Sequence, residues 1–202
     1  MTGPLRVFVS HTAELAVYPK GRTFVQSAVE GIGDAHAAVV EQDHFAAASR
    51  SPVDHVAALI EGSDIVLILA GFRYGTPVPG HSEVSYVEHE RATAIGRGRP
   101  VLAFLLDEAA TGLPRTALVD PRHAARQDRF RAELRAAHTS KPFSTPDDLR
   151  RLVALGILDA SGAVQPVPPA ASGGHTIVQL VSGSGNISFG KVDGDVTVRR
   201  QG

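Results

Sequence analysis

The sequence predicts a doubly wound α/β fold, a parallel sheet with helices on both faces. Three observations carry this: short apolar runs recur along the chain, helix-forming segments separate them, and two of the runs are apolar on both faces.

The first strand is Leu5–Ser10 (LRVFVS), followed by a helix read over Glu14–Gly31. Ala37–Val40 (AAVV) gives the second strand and Pro52–Glu61 the next helix. Asp64–Ala70 (DIVLILA) is the third strand, and a helix over Ser82–Arg97 leads to the fourth, Pro100–Leu106 (PVLAFLL). Arg122–Ala137 reads as a charged amphipathic helix. Thr145-Pro146-Asp147-Asp148 supplies an N-cap, a proline at the first helical position and early acids, opening a last helix that ends near Gly156. The architecture expected for residues 1–157 is flavodoxin-like.

Residues 158–174, centred on ASGAVQPVPPAASGG, are rich in Pro, Ala, Gly and Ser without periodicity and read as a linker. Residues 175–202 form a small C-terminal β-strand appendage. In it Gly185-Asn186-Ile187-Ser188-Phe189 is echoed nine residues later by Gly194-Asp195-Val196-Thr197-Val198, and His175–Val181 reads as a further strand. A β unit of that size leaves its edges open, so it is read as an assembly element.

Bulk properties narrow the function. The 202 residues, 43% of them hydrophobic, supply one core of ordinary size. A net charge of −1 gives no field toward nucleic acid or an anionic membrane. The absence of cysteine removes disulfide, thiolate and cysteine–metal chemistry and fits a reducing compartment, so a cytoplasmic location is expected. No apolar run is long enough to span a bilayer, and the first residues lack the pattern of a signal peptide.

In doubly wound sheets the ligand crevice lies at the carboxyl ends of the strands. That rule selects Ser10-His11-Thr12, Glu41–Arg50 and Gly71–Ser85. On a helix over Ser82–Arg97, Val84, Val87, Ala94 and Ile95 share a core-facing stripe, with Tyr86 and Glu90 on its flank; Arg91 falls inside the stripe. Spacing alone also fits a solvated face for Glu88, Glu90 and Arg91. The nine histidines form no ligand motif, and no metal is expected. There is no P-loop, no GxSxG elbow and no GxGxxG after the first strand.

Arg6-Val7-Phe8-Val9-Ser10, Gly71-Phe72-Arg73-Tyr74-Gly75, Ser85-Tyr86-x-Glu88-x-Glu90 and Pro100-Val101-Leu102-Ala103-Phe104 together resemble an uncharacterised bacterial family of TIR-related domains, over roughly residues 4–155. The resemblance implies a TIR-like domain that cleaves the N-glycosidic bond of NAD. Catalytic TIR domains place an aromatic residue four positions before an essential glutamate and a small residue four after it. Tyr86, Glu90 and Ala94 match that spacing, with tyrosine where the pattern usually has tryptophan. Glu90 is thus the catalytic candidate, and Glu88 is not.

The substrate-binding set that follows comprises Ser10, His11 and Thr12 in the first strand-to-helix turn and Ser85 and Tyr86 at the start of the helix. Arg73 is read as a diphosphate ligand and Tyr74 as a stacking partner for a base. Phe45 and Arg50 belong to a segment that is a mobile loop in TIR domains. NAD enters as substrate and no cofactor is required. The resemblance further implies activation by homo-oligomer or filament formation in bacterial defence or cell death, for which the β tail, read above as an assembly element, supplies a second means. Two other readings remain open: a nucleoside deoxyribosyltransferase-like enzyme, and a non-catalytic signalling or scaffold module.

Overall fold

The computed structural model describes residues 3–40, 52–138, 140–164, 180–182 and 186–188. The chain divides into two compact units, Met1–Val164 and Gln165–Gly202.

In the first unit, strand β1 (Arg6–His11) leads through a 3-10 turn, Ala13–Ala16, to helix α1 (Phe24–Asp34). The single helix expected over Glu14–Gly31 is therefore two elements. Pro19 and Gly21 lie between them, and α1 starts only where Thr23 and Gln26 form a reciprocal capping box. Strand β2 (Ala38–Val39) is short, and helix α2 (Pro52–Glu61) has the expected bounds.

Strand β3 (Ile65–Ala70), buried at every position, is followed by a feature that the apolar pattern does not announce. Strands β4 (Pro77–Val78) and β5 (His81–Ser85) form an antiparallel hairpin about Pro79-Gly80, in which Gly80 has φ +80°. Helix α3 (Tyr86–Gly96) consequently begins four residues later than the expected Ser82.

Strand β6 (Val101–Leu106), helix α4 (Ala124–Ala137), strand β7 (Lys141–Phe143) and helix α5 (Pro146–Val164) complete the unit. Strand β7 is additional to the four expected, and α5 continues to Val164, past the boundary read at residue 157. Once a helix is nucleated, each added residue costs little, so Ser161 and Gly162 do not stop it.

The sheet order is β2-β1-β3-β6-β7, and every pairing is parallel. This is the doubly wound, flavodoxin-like arrangement, with its switch point between β1 and β3. The two-residue period of the strands divides the core. Val7, Ile65, Leu67, Leu69 and Phe104 face α1 and α5. Phe8, Val66, Ile68, Ala103 and Leu105 face the side of α2, α3 and α4. Helices α1 and α5 cross closely at Gly31, where a Cβ would lie 2.4 Å from the Arg150 carbonyl oxygen. Arg150 seals the crossing with hydrogen bonds of 2.6 and 2.8 Å to the Asp34 carboxylate.

In the second unit, strands β8 (Leu180–Ser182) and β9 (Asn186–Ser188) pair antiparallel, Val181 opposite Ile187. The expected repeat at 194–198 lies outside the described residues.

Candidate functional site

Ser10 is the last residue but one of β1, and alternation turns it to the same face as Phe8, toward α3. Helix α3 packs over both β1 and β3, beside the switch point. Its buried residues are Val87, Glu90 and Ala94, with Arg91 largely covered, a spacing of i, i+3, i+4 and i+7. The expected stripe is corrected by this rotation: Val84 lies in the hairpin and is exposed, and Ile95 is 50% exposed. Glu90 sits in the middle of the inward face rather than on its flank, with 9% of its surface accessible.

The rotation also explains Arg91. Its Nε donates to His138 Nε2 at 3.2 Å, and its guanidinium lies 3.6 Å from Glu133, so the stem packs inward while the head reaches α4. Burial, then the Arg91 charge, lowers the His138 pKa.

The Ser10 hydroxyl donates a 2.5 Å hydrogen bond to Glu90 Oε2. Burial pushes the Glu90 carboxyl up to about 7, and the Ser10 hydrogen bond opposes that rise. At neutral pH the group therefore stands near its midpoint, rather than fully ionised as an exposed glutamate would be.

The remaining predicted residues separate into two groups. His11 is half-buried at the end of β1, with Nδ1 3.2 Å from the Thr12 carbonyl oxygen, and burial lowers its pKa. Tyr86 is half-buried at the first position of α3, one turn before Glu90. Arg73 is exposed after β3. By their places in the chain these three lie at the carboxyl ends of β1 and β3 and at the start of α3, the same end of the sheet as Ser10.

Thr12, Tyr74 and Ser85 are instead occupied by the fold. Thr12 is buried, donates its backbone N–H to the Leu69 carbonyl at 3.1 Å, and accepts the Gly71 N–H at 2.9 Å. Tyr74 is fully buried: its hydroxyl donates to the Glu83 carbonyl at 2.7 Å, and its N–H to Asp120 at 3.0 Å. Its ring is not available to stack on a base. Burial, and then the Glu88 carboxylate beside it, push its phenol up to about 12. Ser85 is the buried N-cap of α3, accepting the Glu88 N–H while Glu88 Oε2 accepts the Ser85 N–H at 2.8 Å. Phe45 and Arg50 lie outside the described residues.

A second polar cluster, absent from the sequence-based expectations, fills the carboxyl end of β3. Glu14 is buried and accepts the Arg73 N–H at 3.0 Å; burial raises its pKa against that bond and others from nearby backbone and the Thr12 hydroxyl. Arg131 donates to the carbonyls of Ala70 at 2.8 Å, Gly71 at 3.0 Å and Leu106 at 2.7 Å, joining the ends of β3 and β6. Burial brings it down to about 10, so it remains charged at neutral pH. Gln127 Nε2 donates to the Gly71 carbonyl at 2.7 Å. Gly71 is required here, because a Cβ would lie 2.1 Å from Glu14 Oε1. The available signal was the spacing Gln127, Phe130, Arg131, Leu134, the buried stripe of a helix whose polar members look solvated by composition.

Among the described residues no three His, Asp or Glu side chains come together as metal ligands. No described helix is long and apolar enough to cross a membrane.

Solved structures similar to this chain include the following two. A CMP N-glycosidase from Clostridium botulinum is 15% identical, with a TM-score of 0.43, over 75% of this chain and 98% of its own. The TIR domains of the activated Roq1 resistosome are 13% identical, with a TM-score of 0.40, over 75% of this chain and 84% of theirs. No curated protein matches the sequence. Residues 6–157 match the family described as a domain of unknown function, DUF4062, and the chain belongs to that family.

Proposed function

We propose that the domain hydrolyses an N-glycosidic bond, with NAD as substrate and Glu90 as the catalytic carboxylate. The observation that supports this reading is the buried Ser10–Glu90 pair at the switch point of the sheet, the end at which doubly wound folds bind their ligands.

The chemistry asks little of the protein. Breaking the bond between C1′ of the ribose and the nicotinamide nitrogen sends the electron pair to a ring that is already cationic, and nicotinamide leaves neutral without a proton. Positive charge develops at C1′ as an oxocarbenium-like state. The ionised Glu90 carboxylate offsets it at short range, in surroundings too dry to screen the interaction. Water then adds at C1′, giving ADP-ribose and releasing one proton. Ser10 steadies the ionised form and fixes the carboxylate rotamer. Tyr86 lines the ribose side of the site, His11 the nucleotide side, and exposed Arg73 reaches the diphosphate.

The test is to incubate concentrated protein with NAD and, separately, with deoxynucleosides, and to quantify free nicotinamide and exchanged bases. Nicotinamide release abolished by Glu90→Gln supports the reading. Release that persists undiminished in Glu90→Gln and Glu90→Ala rules out the Glu90 mechanism. Base exchange without nicotinamide release moves the assignment to a deoxyribosyltransferase.

A further inference from the structure

Helix α5 makes its core contacts through Leu149, Val153 and Ile157, all fully buried at a four-residue spacing. Its opposite side is not the polar surface such a helix ordinarily presents. Leu155 and Leu158 are 53% and 49% exposed there, Leu152 is half-buried on the flank, and Arg151 and Asp159 are exposed on either side.

The pattern is symmetric about Leu155. Leu152 and Leu158 stand three residues before and after it, and Arg151 and Asp159 four before and after. When two identical helices pack antiparallel across a two-fold axis, a residue k positions before the axis meets the one k positions after it on the second copy. An axis at Leu155 sets Leu155 on itself, Leu152 on Leu158 and Arg151 on Asp159, so each end closes on opposite charges. One turn further out, Asp148 meets Gly162, which presents no side chain. A parallel pairing would oppose Arg151 to Arg151 and Asp159 to Asp159.

We infer that the outer face of α5 is a two-fold interface between two copies of this chain. The charge complementarity of the face with itself identifies the occupant: a polar partner would leave three leucines unmatched, and a purely apolar one would strand Asp159. On a second copy Arg151, which within its own helix lies 2.8 Å from Asp148, adds Asp159 of the facing helix as a further acidic neighbour. One helix face is small beside the roughly 1,200 Å² of a stable interface, so the dimer forms by mass action and dissociates on dilution. The inference is independent of the glycosidic reading, because none of the site residues lies on this face.

The chain has no cysteine, so a single introduced thiol reports the axis. In the full-length protein under mild oxidation, Leu155→Cys is expected to cross-link to its own copy, while Leu158→Cys, displaced along the helix from its counterpart, does not. By sedimentation equilibrium the wild type shows a monomer–dimer equilibrium, and Leu155→Glu weakens it at least about tenfold. Arg151→Asp and Asp159→Arg each weaken it, and the two together restore it, an outcome that damage to the fold does not produce. A wild type that stays monomeric at every concentration overturns the inference, as does a dimer indifferent to Leu155→Glu. Equal cross-linking of the two cysteine variants removes the axis from Leu155. A Leu155→Cys variant that is monomeric yet has its thiol shielded from reagents puts another part of the same chain on the face, and likewise overturns it.

Discussion

Ser10 and Glu90, 80 residues apart in sequence, meet at 2.5 Å because β1 ends and α3 begins on the same side of the switch point. The hydrogen bond favours the ionised carboxylate, while burial disfavours it more strongly. Removing the carboxylate by Glu90→Gln is expected to lower kcat for nicotinamide release on the order of 10³-fold with little change in KM. A loss confined to KM would make Glu90 a binding residue.

Ser10→Ala tests the pair differently. With its hydrogen bond gone, Glu90 titrates higher still, so the alkaline-rising limb of kcat/KM, expected near pH 7, moves up by about one unit. At pH 7 the ionised fraction then falls about fivefold. An unshifted limb accompanied by a lower plateau would show that Ser10 acts without tuning Glu90.

The same burial makes a stability prediction. Glu90 has an ordinary pKa of 4.5 and stands at about 7 when folded. Between those values the native state holds a proton that the unfolded chain has released, so stability falls as pH rises through this window, by up to about 3 kcal/mol. Urea unfolding at pH 4.5 and pH 8 should show that fall in the wild type and its loss in Glu90→Gln. Parallel curves for the two proteins would place the carboxylate in water.

Strands with strong apolar signals are legible in the sequence, and so in outline are the helices, the charged α4 included; strands carried by polar residues or by tertiary contact are not. Strands β1, β3 and β6 stand out because both faces are covered. Strand β5 is hidden because His81, Ser82, Glu83 and Val84 are all exposed and leave no apolar alternation. Strand β7 contains Pro142, tolerated because it lies at the sheet edge. The site is legible as a helix and a turn, but the rotation of α3 is not: Val84 and Ile95 are the hydrophobic choice for its inward face, and Glu90 occupies that face instead. Tyr74 and Ser85 carry the right motif for a different task.

Tyr74→Phe separates those tasks. Losing the hydroxyl strands the Glu83 carbonyl and is expected to cost about 1–2 kcal/mol in urea unfolding, with KM for NAD unchanged. An increased KM at unchanged stability would return Tyr74 to the substrate.

Arg131→Met takes this donor from the carbonyls of Ala70 and Leu106, the Gly71 carbonyl keeping its bond from Gln127, and a loss of about 3 kcal/mol is expected. Arg131→Lys should recover little of it, since an ammonium cannot span the ends of two strands as the planar fork does. Full recovery with lysine would mean that charge alone matters there.

The Glu14 carboxylate occupies the space that a side chain at position 71 would need. The two positions are thereby bound to an order of change over evolutionary time. A lineage that first shortens Glu14 removes the nearest obstacle to alanine at 71 and leaves only the Thr12 hydroxyl, 2.9 Å from the same Cβ, to give way, while one that acquires alanine first meets both. The order of the two changes is thereby constrained, so side chains at 71 are expected chiefly in backgrounds that have already given up the acid at 14.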